Sequence, residues 1–144
     1  METLLDQLYI FELANNHQGS VAHGLKIIEM VAQIARKHQI KAAVKLQLRD
    51  LDTFIHPDYK GRTDVKHIGR FESTRLSMDE FRQLINAIRD HGLLTVATPF
   101  DEQSVQTCQA LNVQVLKLAS CSATDWPLIS AMINAKKPVI ASTG

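Results

Sequence analysis

An excess of charge of one sign is missing from this 144-residue sequence, in which 16 lysines and arginines balance 15 aspartates and glutamates. The balance argues against a nucleic-acid-binding protein, which would carry a basic excess. No run of 18 apolar residues is present, so we expect no membrane-spanning helix. The N-terminal stretch METLLDQLYIFEL has acidic residues and no basic region before its apolar run. We therefore expect no secretory signal and a cytoplasmic location.

Cysteine and glycine-rich turns are scarce as well. The two cysteines, Cys108 and Cys121, have a spacing that suits neither a zinc site nor a disulfide framework. The six histidines show no metal-like spacing either, so no metal ligands are predicted within this chain. No glycine-rich turn follows the first apolar run, which weakens a dinucleotide-binding interpretation.

The sequence does contain a regular alternation of short apolar runs with amphipathic stretches. The apolar runs predict five β-strands, at 8–13, 42–48, 93–100, 113–120 and 137–144. The amphipathic stretches predict four helices, at 21–38, 77–92, 101–112 and 123–135. In the first helix the periodicity puts Leu25 on the buried face with Ile28 and Val31. Strands that alternate with helices form parallel sheets, so the predicted fold is α/β.

Two α/β architectures fit this pattern, a TIM (β/α)8 barrel and an autonomous doubly wound sheet. A barrel needs eight βα units and ~250 residues, and five strands alone would expose two unpaired edges. We therefore interpret residues 1–144 as the N-terminal portion of one longer barrel domain, with the first five strands. The segment 49–76 is too long for an ordinary connection and predicts either a solvated loop or a lid that closes over substrate.

Polar side chains lie at or near the end of every predicted strand. They are Glu12, Lys45, Gln47, Thr98, Lys117, Ser120, Ser142 and Thr143. In a barrel these ends meet at one mouth, where the active site lies. Lysines and hydroxyl groups together suit an anionic substrate, because they offer positive charge and hydrogen-bond donors.

Lys45 and Lys117 each interrupt an apolar strand, where an uncompensated ammonium group is costly. Each lysine could extend to the end of the sheet, pair with an acid such as Glu12, or bind an anion. Because burial lowers the pKa of lysine, a Schiff-base aldolase that uses Lys117 is a further alternative. Glu12 could act as a general acid or base, and His17 is expected to hydrogen-bond within its turn with Asn15 and Asn16.

Several stretches together resemble the sialic acid synthase family, which includes spore coat polysaccharide biosynthesis protein E-like members. They are FELANNHQGS, VKLQL, TPFDEQSV, LKLASCSATDWPLI and KKPVIASTG. The resemblance implies a TIM-barrel transferase that forms a C–C bond between phosphoenolpyruvate and an N-acylated aminosugar aldehyde. The product would be a nonulosonic acid for surface polysaccharide. A divalent metal, usually Mn²⁺, would polarise the aldehyde.

The resemblance also assigns roles to residues on the phosphoenolpyruvate side. Lys45, Thr98 and Lys117 resemble the positions that bind its carboxylate. Ser120 and Ser142 resemble the hydroxyl donors to its phosphate. Lys117 would thus be compensated by a bound anion.

On the acceptor side the chain departs from the family pattern. Glu12 matches the family's acid beside the reacting end of the sugar, and with Lys117 it forms the predicted catalytic pair. Ser122 stands where sialic acid synthases have a sugar-contacting glutamate, and Arg62 stands where they have an asparagine. With Glu12 these two residues form the predicted sugar-binding set, and they favour an acceptor other than N-acetylmannosamine.

Other parts of the family's site are expected beyond residue 144. These are the metal-binding histidines and a small C-terminal antifreeze-like domain, which completes the site of a homodimer in the full-length protein. The expected partners are therefore phosphoenolpyruvate, an aminosugar and a second copy of the protein. A non-catalytic relative that binds a sugar or a phosphorylated ligand is the alternative.

Overall fold

The computed structural model describes residues 3–143, which form an α/β unit around one parallel sheet. Its strands are β1 (Tyr9–Ala14), β2 (Ala42–Leu48), β3 (Leu94–Pro99), β4 (Val115–Leu118) and β5 (Val139–Ala141). They lie side by side in the order β1-β2-β3-β4-β5, and every neighbouring pair is parallel. A doubly wound sheet reverses its strand order at a switch point, whereas this sheet proceeds in one direction. The order is that of a barrel.

Six α-helices accompany the strands. They are α1 (Val21–His38), α2 (Leu51–Phe54), α3 (Ile68–Ser73), α4 (Met78–Asp90), α5 (Glu102–Ala110) and α6 (Trp126–Asn134). All five predicted strands and all four predicted helices are confirmed, although most are shorter than predicted. The last residue of the predicted fifth strand, Gly144, lies outside the described residues. Within residues 3–143, none of the helices has the length and apolarity that crossing a membrane requires.

The main core lies between the sheet and its helices. It is built from buried aliphatic side chains, among them Leu13, Ile28, Val44, Leu46, Leu84, Ile88, Leu116 and Leu128. Helix α1 approaches α4 closely at Gly24, where a Cβ atom would lie 2.8 Å from Cδ2 of Leu84. The prediction that Leu25 is buried is wrong, since this side chain is 37% exposed. Gly24 is buried in its place, and a side chain at this position would require the end of the Leu84 side chain to shift.

The other face of the sheet is apolar towards the N-terminal ends of its strands. Ala43, Val96 and Val115 are fully buried there and contact Leu8 and Ile140. Residues two positions further along a strand point to the same face. Lys45 therefore lies on the same face as Ala43, closer to the C-terminal end of β2.

The segment between β2 and α4 is more ordered than predicted. It contains α2, a 3-10 turn at Pro57–Tyr59 and α3, and Leu51, Ile55 and Ile68 form a small buried cluster of their own. A fully solvated loop is therefore the wrong prediction for this segment. Its helices have six residues or fewer, which is too short for a period of 3.6 residues to be recognised in the sequence.

Candidate active site

The ends of β1 and β2 bring Glu12 and Lys45 into direct contact. The two residues are register partners, and Lys45 Nζ lies 2.6 Å from Glu12 Oε2. The lysine side chain is 18% exposed and the glutamate 44% exposed, so the pair lies at the boundary with solvent. This contact is one of the alternatives that the sequence leaves open for Lys45. A pair this exposed adds little to stability, but it holds both charges at the mouth of the sheet.

The register continues the polar layer across β3 and β4. Gln47 is the partner of Thr98, and Thr98 is only 2% exposed. Leu116 is the partner of Ala97, so Lys117 lies one residue further along β4, at the level of Thr98. The register and the alternation of side chains along each strand thus place Gln47, Thr98 and Lys117 on one face of the sheet.

Lys117 differs from Lys45 in having no acidic partner. It is half-buried and is the register partner of Ile140. Among residues 3–143, no carboxylate oxygen lies within 4 Å of its ammonium nitrogen. A half-buried ammonium group without a counter-ion is a position where a bound anion would be stabilising.

Serine residues follow β4 and β5. Ser120 begins a 3-10 turn directly after β4 and is exposed. Ser142 follows β5, and its backbone N–H donates to the carbonyl of Leu118 at 3.1 Å, which fixes it next to the end of β4. Ser122 is buried in the 3-10 turn, with 8% of its surface exposed. The hydroxyl-bearing residues Ser120 and Ser142 are therefore more accessible to solvent than Ser122.

Arg62 occupies a different environment. It lies exposed in the segment between α2 and α3, forms an ion pair with Asp64 and stacks over Tyr59 with 4.9 Å between guanidinium carbon and ring centre. Within the part of the chain that the structure describes, no hydrogen bond or ion pair joins Arg62 to the strand-end side chains. Its predicted contact with the sugar stays a prediction.

Arg49 is a feature of the site that the sequence analysis missed. Its guanidinium carbon lies 3.7 Å from the ring centre of Phe100, 4.6 Å from that of Phe71 and 5.7 Å from that of Phe54. Both terminal nitrogens donate to Gln47 Oε1 at 3.2 Å. Burial lowers the pKa of Arg49 from its ordinary value. The nearby Cys121 and Asp101 act in the opposite direction and raise this pKa. Two of the three rings, those of Phe71 and Phe100, come from distant parts of the chain, so no local pattern signals this arrangement.

His17 is the buried histidine of the same region, with 1% of its surface exposed. Its Nδ1 accepts a hydrogen bond from the backbone N–H of Gly19 at 3.1 Å. The predicted role within the turn is confirmed, although the partner is Gly19 instead of Asn15 or Asn16. Burial lowers the pKa of His17, which keeps the imidazole neutral near pH 7.

The donor set at the strand ends does not fit a divalent metal ion. No group of three histidine, cysteine, aspartate or glutamate side chains in residues 3–143 is placed to bind one. The carboxylate of the set, Glu12, is already paired with Lys45, and the remaining groups are lysines, amides and hydroxyls. The Mn²⁺ predicted from the resemblance would thus need ligands from outside these residues.

Comparison with known proteins identifies relatives that belong to one family. Residues 30–144 match the family model described as NeuB family. An N-acetylneuraminate-9-phosphate synthase of Drosophila melanogaster is 31% identical over 98% of this chain and 39% of its own length. A pseudaminic acid synthase of Campylobacter jejuni is 27% identical over 94% of this chain and 40% of its own length. The chain thus spans about two-fifths of the length of these curated relatives.

Solved structures agree with this match. A Chromobacterium violaceum protein assigned to spore coat polysaccharide biosynthesis protein E is 44% identical, with a TM-score of 0.93 over 96% of this chain and 41% of its own. The N-acetylneuraminic acid synthetase of Leptospira borgpetersenii is 24% identical, with a TM-score of 0.78 over 96% of this chain and 44% of its own, and it supports the fold alone. The five-stranded sheet corresponds to part of the TIM barrel of such synthases.

Proposed function

This chain belongs to the NeuB family, and from that premise we propose that it forms part of a synthase that joins phosphoenolpyruvate to the aldehyde of an N-acylated aminosugar. The product would be a nonulosonic acid for surface polysaccharide. Relatives named as synthases of N-acetylneuraminate-9-phosphate, pseudaminic acid and diacetyllegionaminic acid support this reaction class. A cytoplasmic location and a homodimeric full-length protein are part of the same proposal.

The observation that carries the proposal is Lys117, a half-buried lysine at the end of β4. The neighbouring strand-end lysine, Lys45, is paired with Glu12. Lys117 has no acidic partner of its own among residues 3–143. Phosphoenolpyruvate carries a carboxylate and a phosphate, so it would supply the missing negative charge at two points.

The strand ends offer a distinct set of donors for each anionic group. In our proposal the carboxylate of phosphoenolpyruvate binds Lys45, Thr98 and Lys117, which lie on one face of the sheet. Its phosphate binds Ser120 and Ser142, which follow the ends of β4 and β5. Fixed donors around both groups would hold the enol carbon in one orientation, and such positioning lowers the barrier to a bimolecular reaction.

The proposed reaction forms one C–C bond and replaces phosphate by the oxygen of water at C2. The C3 carbon of phosphoenolpyruvate attacks the aldehyde carbon of the aminosugar, whose oxygen takes up a proton and becomes a hydroxyl group. Water adds at C2 and loses its protons, phosphate leaves from C2 by C–O cleavage, and C2 becomes the keto group. Glu12 would act beside the aldehyde as the general acid–base group of the site. The contact of Glu12 with Lys45 at 2.6 Å supports a role for this carboxylate close to the proposed phosphoenolpyruvate site.

We further propose that the acceptor is not N-acetylmannosamine. Ser122 offers a buried hydroxyl where a carboxylate is found in sialic acid synthases, so it cannot provide the same charged contact. Arg62 would meet an acidic group of the acceptor, which would have to displace Asp64 from its ion pair. This exchange between two carboxylates is feasible because both side chains are substantially exposed.

The test is phosphate release by the natural polypeptide that contains this sequence. It would be incubated with Mn²⁺, phosphoenolpyruvate and, one at a time, neutral and acidic N-acylated aminosugars. Release that depends on one sugar would support the synthase and identify the acceptor. Phosphoenolpyruvate binding without release on any sugar would favour a non-catalytic relative. Covalent trapping of Lys117 by borohydride with a carbonyl substrate would instead indicate an aldolase.

A further inference from the structure

We propose that Arg49 is a positioning residue that orients the side-chain amide of Gln47. In this arrangement the NH₂ group of Gln47 faces a ligand oxygen at the strand ends. The carbonyl oxygen of the same amide is turned away and bound to Arg49. The kinetic part of this inference rests on the proposed function, whereas the structural part does not.

The orientation follows from the chemistry of the two side chains. A guanidinium group has five N–H donors and no acceptor, so the Gln47 atom that it contacts must be the carbonyl oxygen. Two terminal nitrogens of Arg49 donate to that oxygen, each at 3.2 Å. The Nε2 group of Gln47 has no hydrogen-bond partner within residues 3–143. It is therefore available as a donor.

Arg49 itself is held by its surroundings. Phe54, Phe71 and Phe100 surround the guanidinium, and the contacts of an arginine with aromatic faces are attractive. Its Nε–H is buried without a partner, and no carboxylate of the described residues pairs with it. A half-buried cation with one unsatisfied buried donor contributes little to stability. The arrangement is better explained by a task at Gln47.

The position of Gln47 connects this pair to the site. It is the register partner of Thr98 and lies two residues beyond Lys45 on the same face. Gln47 and Arg49 also border a cavity of about 30 Å³ at the ends of β1 and β2, which Asn15, His17 and Thr74 line as well. A hydroxyl or carbonyl oxygen of a substrate at this end of the sheet would meet an N–H donor at position 47. An amide turned the other way would present a second oxygen and repel it.

Kinetics of two single variants and their double variant test whether Arg49 acts through Gln47. Arg49→Met keeps an apolar side chain among the three rings but removes every donor, and Gln47→Leu removes the amide. Each change is expected to lower kcat/KM for phosphate release about tenfold to one-hundredfold, the size of effect typical of a charge-assisted hydrogen bond. The double variant should lose no more than Gln47→Leu alone, because the two residues form one unit. Losses that multiply would contradict the proposal.

Gln47→Glu separates positioning from a structural role. The new carboxylate would pair with Arg49, so the melting temperature should stay the same or rise. Activity should nevertheless fall as far as in Gln47→Leu, because a carboxylate offers no N–H donor. Full activity in Gln47→Glu would overturn the proposal. This variant also decides the question should Arg49→Met fail to fold.

A measurement that needs no activity is the NMR signal of the Gln47 side-chain amide in ¹⁵N-labelled protein. Gln47→Leu assigns the signal by its disappearance. In the wild type the two NH₂ protons should have shifts displaced from those of a free glutamine side chain and a high ¹⁵N–¹H NOE, whereas in Arg49→Met the shifts and the NOE should approach the values of a mobile amide. The matched control is Arg82→Met, which removes an exposed arginine of α4 and should leave the signal unchanged.

These readouts keep the two proposals distinct. If the wild type releases no phosphate with any sugar, the proposed function fails while the NMR signal still reports on Arg49. An unchanged Gln47 signal in Arg49→Met would refute the positioning role even in an active synthase.

Discussion

At the scale of single residues, the two strand-end lysines differ in what compensates their charge. Lys45 has Glu12 at 2.6 Å, whereas Lys117 has no carboxylate of residues 3–143 within ion-pair distance. Both positions could be recognised from the sequence, because a lysine inside an apolar strand is costly. The partner of Lys45 could only be named as one alternative, since pairing depends on the register of β1 against β2. Arg49 could not be recognised, because it follows the strand like an ordinary surface residue and two of its three aromatic neighbours, Phe71 and Phe100, are distant in sequence.

His17 gives a pH-dependent contribution to stability. Burial is the main cause that lowers its pKa in the folded state, with Glu80 opposing and His23 adding to the shift. Below pH 6.5 the unfolded chain therefore binds a proton that the folded chain does not. The free energy of unfolding should decrease as the pH falls from 7 towards 5.

Chemical denaturation at several pH values measures this contribution. The difference in stability between wild type and His17→Asn should shrink as the pH falls, because only the wild type carries the buried imidazole. His38→Asn, a change at an exposed histidine, should not flatten the pH dependence. A difference between wild type and His17→Asn that is constant from pH 7 to 5 would contradict this account.

The two cysteines should react very differently with alkylating reagents. Burial raises the pKa of Cys108 to about 12, and this side chain is fully buried, whereas Cys121 is exposed. Because the thiolate is the reactive form, iodoacetamide at pH 8 should modify Cys121 and leave Cys108 unmodified. Peptide mass spectrometry would show the sites, and denatured protein, in which both react, is the control. Rapid labelling of native Cys108 would show that this part of the core opens.

At the scale of secondary-structure elements, the sequence predicts the long elements well and the short ones poorly. The 18 residues of α1 are found as predicted, and α4 begins at a capping box formed by Ser77 and Glu80. The segment from 49 to 76 escapes prediction because each of its helices is too short to show a period. Its buried cluster of Leu51, Ile55 and Ile68 forms only when α2 and α3 meet.

Asp101 ties two of these elements together and should matter more than an ordinary cap. One of its oxygens accepts from Ser104 N at 2.6 Å at the start of α5, and the other accepts from Asp50 N at 2.8 Å after β2. Asp125 caps α6 through Leu128 N alone, at 3.1 Å. Asp125→Ala should cost about 1 kcal/mol of stability.

Asp101→Ala should cost about 2 to 3 kcal/mol, because it also leaves the N–H of Asp50 without its partner. Urea denaturation of both variants, with Asp125→Ala as the matched reference, measures the difference. Equal losses would mean that the contact between the ends of β2 and β3 adds nothing to stability.

At the scale of the whole molecule, one face of the sheet carries two layers of side chains. The layer near the N-terminal ends of the strands is apolar, and the layer near their C-terminal ends is polar. Ala43, Val96 and Val115 form the apolar layer. The strand order β1-β2-β3-β4-β5 sets the polar ends side by side, so that charges far apart in sequence act on one ligand. This order follows from the barrel architecture, which the alternating pattern predicts as a class, while the register that aligns the ends is visible only in the structure.

The most direct test of the central claim is calorimetric titration of phosphoenolpyruvate into the natural polypeptide and its Lys117→Met variant. Methionine keeps the length of the side chain and removes its charge, and Lys37→Met, at an exposed position on α1, is the matched control. If Lys117 is compensated by the bound anion, Lys117→Met should weaken binding by at least tenfold with an unchanged melting temperature. Lys37→Met should bind like the wild type. Equal affinity of Lys117→Met and wild type would contradict the account.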